Sequence, residues 1–137
     1  MISLHHTHLM ASDVDATIEF WRLHFAAEVV FDGDFAGARN VFLQVGQGRL
    51  HLYAQSPRQT GPATVHHLGL ETDELDALVQ RLKAAGVSVT DVRRLPAASY
   101  AMAQAPDGLL LELFQPNSEY VDAELAGRAY FATLGTI

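Results

Sequence analysis

The pattern of apolar and polar positions passes through a series of periods and then repeats the series. Residues 2–10 alternate with a period of two, as in a half-buried strand, with Leu4, His6, His8 and Met10 on one face and His5, Thr7 and Leu9 on the other. Ser12 and Asp13 offer side-chain oxygens to cap a helix, and Asp13 and Asp15 suit its positive end. Val14, Ile18, Trp21 and Phe25 follow at steps of four, three and four, forming one apolar stripe that predicts a helix lying on a sheet. Three extended segments come next, at 28–32, 39–45 and 49–53. Gly33-Asp34 with Gly37 separates the first two, and Gly46-Gln47-Gly48 is short enough to make an antiparallel hairpin of the last two. Residues 55–63, with two prolines and a glycine, read as a linker.

The second half repeats the order. A strand over 64–70 puts His67, Gly69 and Glu71 on one face. Thr72 or Asp73 caps a helix whose stripe is Leu75, Leu78, Val79 and Leu82, and Gly86 ends it. Strands over 87–92, 99–103 and 109–114 complete the unit, the last two joined by Ala105-Pro106-Asp107-Gly108. Beyond Pro116, an Asn117-Ser118 cap leads into Val121, Leu125, Tyr130 and Phe131, which predicts a C-terminal helix over about 117–134. Each half is therefore strand, helix and three strands, with module one over about 1–56 and module two over about 63–116 of a single 137-residue domain.

Composition narrows the function. Nine basic against sixteen acidic residues give a net charge of −7, and no Lys/Arg-rich run is present, which argues against a surface that tracks nucleic-acid phosphates. Cysteine is absent, so disulfides and thiolate ligands are excluded and a reducing cytoplasm is the expected compartment. No apolar run approaches the roughly 20 residues that cross a bilayer, and the N-terminus lacks a signal-peptide pattern. The expected partner is a small molecule, with neither nucleic acid nor membrane.

The repeat has a register. Leu4-His5-His6-Thr7-His8 through Asp13 is echoed by Val65-His66-His67-Leu68-Gly69 through Glu74, and His6 and His67 stand 61 positions apart. The same step of 61 carries His51 onto Glu112 and Leu50-His51-Leu52 onto Leu111-Glu112-Leu113. Four potential metal ligands thus occupy two pairs of equivalent positions.

These entries His6 through Asp13 and His67 through Glu74, with Pro106-Asp107-Gly108 and Glu112-Leu113-Phe114, resemble the vicinal-oxygen-chelate superfamily over nearly the whole chain up to Pro116. That group includes glyoxalases, methylmalonyl-CoA epimerases, fosfomycin-modifying enzymes, extradiol ring-cleaving dioxygenases and bleomycin-resistance proteins. The resemblance implies an α+β fold of two tandem βαβββ modules forming a curled mixed sheet around a metal cavity. It implies His6, His67 and Glu112 as ligands to a divalent Fe, Mn, Ni or Zn ion, and a homodimer with sites either within a chain or shared across the interface. The fourth family position falls on His51, where many metal-using relatives have Glu or Gln. His51 is then a fourth ligand or an outer-shell or acid–base histidine.

On the ligand faces, His8 and Glu71 are candidate proton-transfer groups, with a polar cavity wall as their alternative role. His5 and His66 alternate away from the ligands, toward packing and hydrogen bonding. His24 sits within the first helix, and Tyr53, Tyr100 and Phe114 are read as core or pocket lining. Four protein ligands leave two open positions, which suit an isomerase, epimerase or lyase. Three leave room for dioxygen and an Fe(II) ring-cleaving dioxygenase. The reading from another class is a metal-free protein that sequesters a drug or metabolite, as bleomycin-resistance members do.

Overall fold

The computed structural model describes residues 5–35, 37–58, 65–96 and 98–117. The expected C-terminal helix lies outside them, except for Asn117. The described chain has two βαβββ modules, each with its own four-stranded mixed sheet, as the repeat predicts. It divides into two compact units, and Ala105–Gly108 groups with the first.

In the first unit, β1 (Thr7–Met10) leads into α1 (Val14–Phe25), followed by β2 (Glu28–Phe35), β3 (Ala38–Val45) and β4 (Gly48–Tyr53). The sheet order is β1-β4-β3-β2, with β1 parallel to β4 and the remaining pairs antiparallel. Asp13 caps α1: its side chain accepts from the Ala16 N–H at 2.9 Å, while the Thr17 hydroxyl donates to the Asp13 carbonyl at 2.7 Å. Asp13→Ala is therefore expected to destabilise the protein by about 1 kcal/mol, read as a lowered urea midpoint at unchanged slope. The two-residue Gly46-Gln47 loop closes the β3–β4 hairpin, and Gly46, at φ +54°, supplies the left-handed backbone that such a loop needs.

Strand alternation divides this unit's residues cleanly. Val41 pairs with Leu52 and Leu43 with Leu50, all buried, and Val14, Ile18 and Trp21 of α1 are buried with them. The intervening pair, Phe42 and His51, projects from the other face. Asp107 carries a positive φ of 59°, and its carboxylate accepts from the Ser12 N–H at 3.0 Å.

The second unit contains β5 (Leu68–Glu71), α2 (Leu75–Ala84), β6 (Arg93–Arg94), β7 (Ala98–Gln104) and β8 (Leu110–Pro116), in the sheet order β5-β8-β7-β6. Leu75, Leu78, Val79 and Leu82 are all buried, as their spacing predicts, together with Ala101, Ala103, Leu111 and Leu113. Two expectations are corrected. The N-cap of α2 is Glu74, not Thr72 or Asp73, and it makes no side-chain cap. The Thr72 hydroxyl instead accepts from the Glu74 N–H, and Gln115 Oε1 accepts from the Leu75 N–H at 3.2 Å. The strand expected over 87–92 is reduced to a bridge between Val89 and Ala103, and the two-residue β6 forms beyond it. Thr90 explains the interruption: its hydroxyl accepts the Met102 N–H, taking the place of a main-chain carbonyl in the ladder.

Candidate metal centre

Within the first unit the register brings histidines together. His8 on β1 is the parallel partner of His51 on β4, and their ring centroids lie 5.8 Å apart. His6 stacks on His51 with centroids 3.8 Å apart and planes 13° from parallel. Phe42, the cross-strand partner of His51, stacks on it too, at 3.8 Å and 16°. Tyr53 flanks His8, its ring 5.7 Å away.

His5 departs from the expectation of a residue turned away. Its Nδ1 lies 2.9 Å from Nδ1 of His6, and its ring is 6.2 Å from that of His51. Regular strand geometry begins only at Thr7, so alternation does not govern residues 5 and 6. Among the described residues, His5, His6 and His51 offer ligand atoms within 4.8 Å of one another.

His51 is the most confined of these groups. It is only 8% exposed, and its Nε2 is buried without a hydrogen-bond partner among the described residues. Burial pushes its pKa down to about 4, helped by the neighbouring His6, His8 and His5 and by the Arg49 guanidinium. The pKa of His8 is also lowered, chiefly by burial and then by His6. Both directions favour neutral imidazole, the form with a free lone pair.

The shift of His51 predicts how stability depends on pH. Its folded pKa lies below the ordinary value of 6.5, so between pH 6.5 and about 4 the unfolded chain binds a proton that the folded chain refuses. This contribution to stability is complete above pH 6.5 and is lost as the pH falls toward 4. In chelator, the denaturant midpoint should fall over that window. His51→Phe, which retains a ring against Phe42, should flatten the fall.

Within the second unit, His67 Nε2 lies 2.9 Å from Glu112 Oε2, and His67 Nδ1 lies 2.8 Å from Nδ1 of His66. A network in which His67 Nε2–H donates to the carboxylate makes His66 the donor to His67 Nδ1. Gly69 is the parallel partner of Glu112, so no side chain stands beside the carboxylate at the position equivalent to His8. Glu71 is exposed and is in register with Phe114.

The two halves keep the sequence register in three dimensions. Thr7 pairs with Leu50 and His8 with His51, and their counterparts 61 positions later, Leu68 with Leu111 and Gly69 with Glu112, pair in the same parallel sense. In each unit the histidine preceding the first strand therefore meets the residue on the fourth: His6 with His51, and His67 with Glu112.

The spacing of His67 and Glu112 suits two donors to one divalent cation. Two ligand atoms about 2.0–2.2 Å from one ion at near-right angles stand about 3 Å apart, close to the 2.9 Å between His67 and Glu112. Nε2 of His51 is a donor or acceptor site without a partner among the described residues. Sequence reasoning turned His5 away from this cluster and did not name Phe42. The signal for Phe42 was available, because a two-residue Gly46-Gln47 loop that pairs Val45 with Gly48 also sets Phe42 opposite His51.

A family model described as the Glyoxalase/Bleomycin resistance protein/Dioxygenase superfamily matches residues 3–113. No curated protein matches. Among solved structures, the fosfomycin resistance protein FosX from Listeria monocytogenes is 23% identical, with a TM-score of 0.73 and coverage of 87% of this chain and 98% of its own. A FosX variant solved with Mn(II) and 1S,2S-dihydroxypropylphosphonic acid is also 23% identical, with a TM-score of 0.73 and coverage of 87% and 96%. A glyoxylase/bleomycin resistance protein/dioxygenase domain from Frankia sp. EAN1pec is 16% identical, with a TM-score of 0.74 and coverage of 88% and 96%.

Proposed function

Starting from the chain's membership of the Glyoxalase/Bleomycin resistance protein/Dioxygenase superfamily, we propose that it is a divalent-metal-dependent, glyoxalase-like enzyme of the isomerase, epimerase or lyase type. Its substrate is a small molecule with two adjacent oxygens. The observation that carries this reading is the shared register, which presents His6 with His51 in one module and His67 with Glu112 in the other. In this reading all four residues are ligands, and the protein is a homodimer. Three neutral imidazoles and one carboxylate suit Mn, Fe, Ni or Zn. The FosX variant bound to Mn(II) and a phosphonate with adjacent hydroxyls supports the substrate class by fold-level analogy.

When bound, the ion supplies Lewis-acid stabilisation of negative charge on a substrate oxygen. The protein's part is to hold the donors and move a proton. His8 is the proposed base, since its ring packs near both His6 and His51, 6.1 and 5.8 Å away. Its lowered pKa favours the proton-accepting form near neutral pH. Glu71 is the weaker candidate because it lies two positions beyond Gly69, the residue in register with Glu112. Phe42 holds the His51 ring in place by stacking.

The test combines metal analysis of protein purified without chelator with solvent deuterium exchange into α-hydroxy carbonyl compounds, followed by NMR. One divalent ion per chain and chelator-sensitive exchange, lost in His8→Ala but retained in Glu71→Ala, are expected. No bound ion, with tight ligand binding in chelator and no turnover, overturns the reading in favour of a sequestering protein. Oxygen uptake with catechols in place of exchange moves it to ring cleavage.

A further inference from the structure

We infer that the first module holds a borderline divalent cation of the zinc class by itself, through His5, His6 and His51. This inference does not rest on the proposed function, since neither His67 nor Glu112 takes part. Three observations carry it. The ligand atoms of these three histidines already lie within 4.8 Å of one another. His51 is more than nine-tenths buried, and its Nε2 has no partner among the described residues. The Nδ1 atoms of His5 and His6 face each other 2.9 Å apart, a contact that an ion shared between them replaces.

Binding requires the His6 ring, stacked 13° from parallel on His51, to turn so that the in-plane lone pairs of both rings meet at one ion. A tetrahedral ion about 2.0–2.1 Å from each nitrogen sets the nitrogens about 3.3–3.4 Å apart, so nitrogens that lie within 4.8 Å of one another must close by at most about 1.4 Å. The rings that must make that movement are His5 and His6, which are exposed and precede β1. His51, stacked on Phe42, is the fixed member. His8 on the same face adds a further imidazole near the cluster. Arg49 is the cation felt at His51, but it is exposed, and its Nε is directed to Gln44 Oε1 at 3.2 Å. Solvent screens its repulsion.

An all-imidazole set selects Zn, Ni or Cu over Mn or Mg, which prefer oxygen. Because this set shares His6 and His51 with the four-ligand set, a chain holds one ion by one set at a time.

The experiment is calorimetric titration of the full chain with Zn(II), using the double variant His67→Ala/Glu112→Ala and the same variant with His5→Ala added. The double variant is expected to bind one zinc per chain, with zinc-dependent shifts of the His5 ring protons in NMR. Adding His5→Ala should weaken zinc by more than the about 10- to 100-fold that an outer-shell partner is worth. His5 is exposed, so its removal should leave the circular dichroism and melting curve of the apo chain unchanged. Absence of zinc binding in the folded double variant, or equal affinity with and without His5, overturns the inference. Neither outcome bears on the parent's turnover, which tests the proposed function separately.

Discussion

Glu112→Ala is expected to lower Mn(II)-supported kcat/KM by about 100- to 1,000-fold. A Lewis acid supplies several kcal/mol at the reacting oxygen, and each 1.36 kcal/mol is a factor of ten. The substitution removes the only oxygen donor among the four proposed ligands and leaves His67 without its partner at 2.9 Å. Manganese should suffer more than zinc, because imidazoles alone hold zinc well and manganese poorly. Proton exchange measured with each metal, alongside competition titrations, checks both halves of the expectation. Equal manganese affinity in the parent and the variant shows that Glu112 is not a ligand.

Trp21→Ala should have the largest effect on stability, about 3–5 kcal/mol. Trp21 is 1% exposed, its ring lies 5.2 Å from that of Phe25, and its carbonyl takes the N–H that closes the C-terminus of α1. Truncation leaves a cavity that rigid neighbours fill only in part. A loss of that size is a large fraction of the 5–15 kcal/mol by which domains are ordinarily stable. Urea denaturation of parent and variant in the same buffer measures it. A change below about 1 kcal/mol means that the site collapses around the missing ring.

Much of this fold was legible because periodicity reports burial. The α1 and α2 stripes, the Gly46-Gln47 hairpin and the repeat of 61 follow from side-chain alternation and glycine geometry, and the pairing of β1 with β4 and of β5 with β8 reproduces that repeat residue by residue. What was illegible depends on side chains that compete with the backbone. Thr90 takes an N–H that an alternation rule assigns to a carbonyl, and Gln115 reaches α2 from a strand 40 positions away in sequence. At the candidate site, residue types and register were readable. His5 was misjudged because strand logic was extended two residues before the strand begins. The confinement of His51 depends on Phe42, a neighbour in space rather than in sequence.

The strands β1 and β5 that follow His6 and His67 are four residues long, and each is bonded within its sheet to a single neighbour. Short segments so attached open locally far more readily than those bonded on both sides. Amide hydrogens of Thr7–Met10 should therefore exchange sooner than those of Val41 and Leu43, both fully buried in β3. How long an ion stays bound would then be set by the fraying of a few N-terminal peptide bonds. Under the proposed ligand set, an ion bound there passes to a competing chelator while the rest of the chain remains folded.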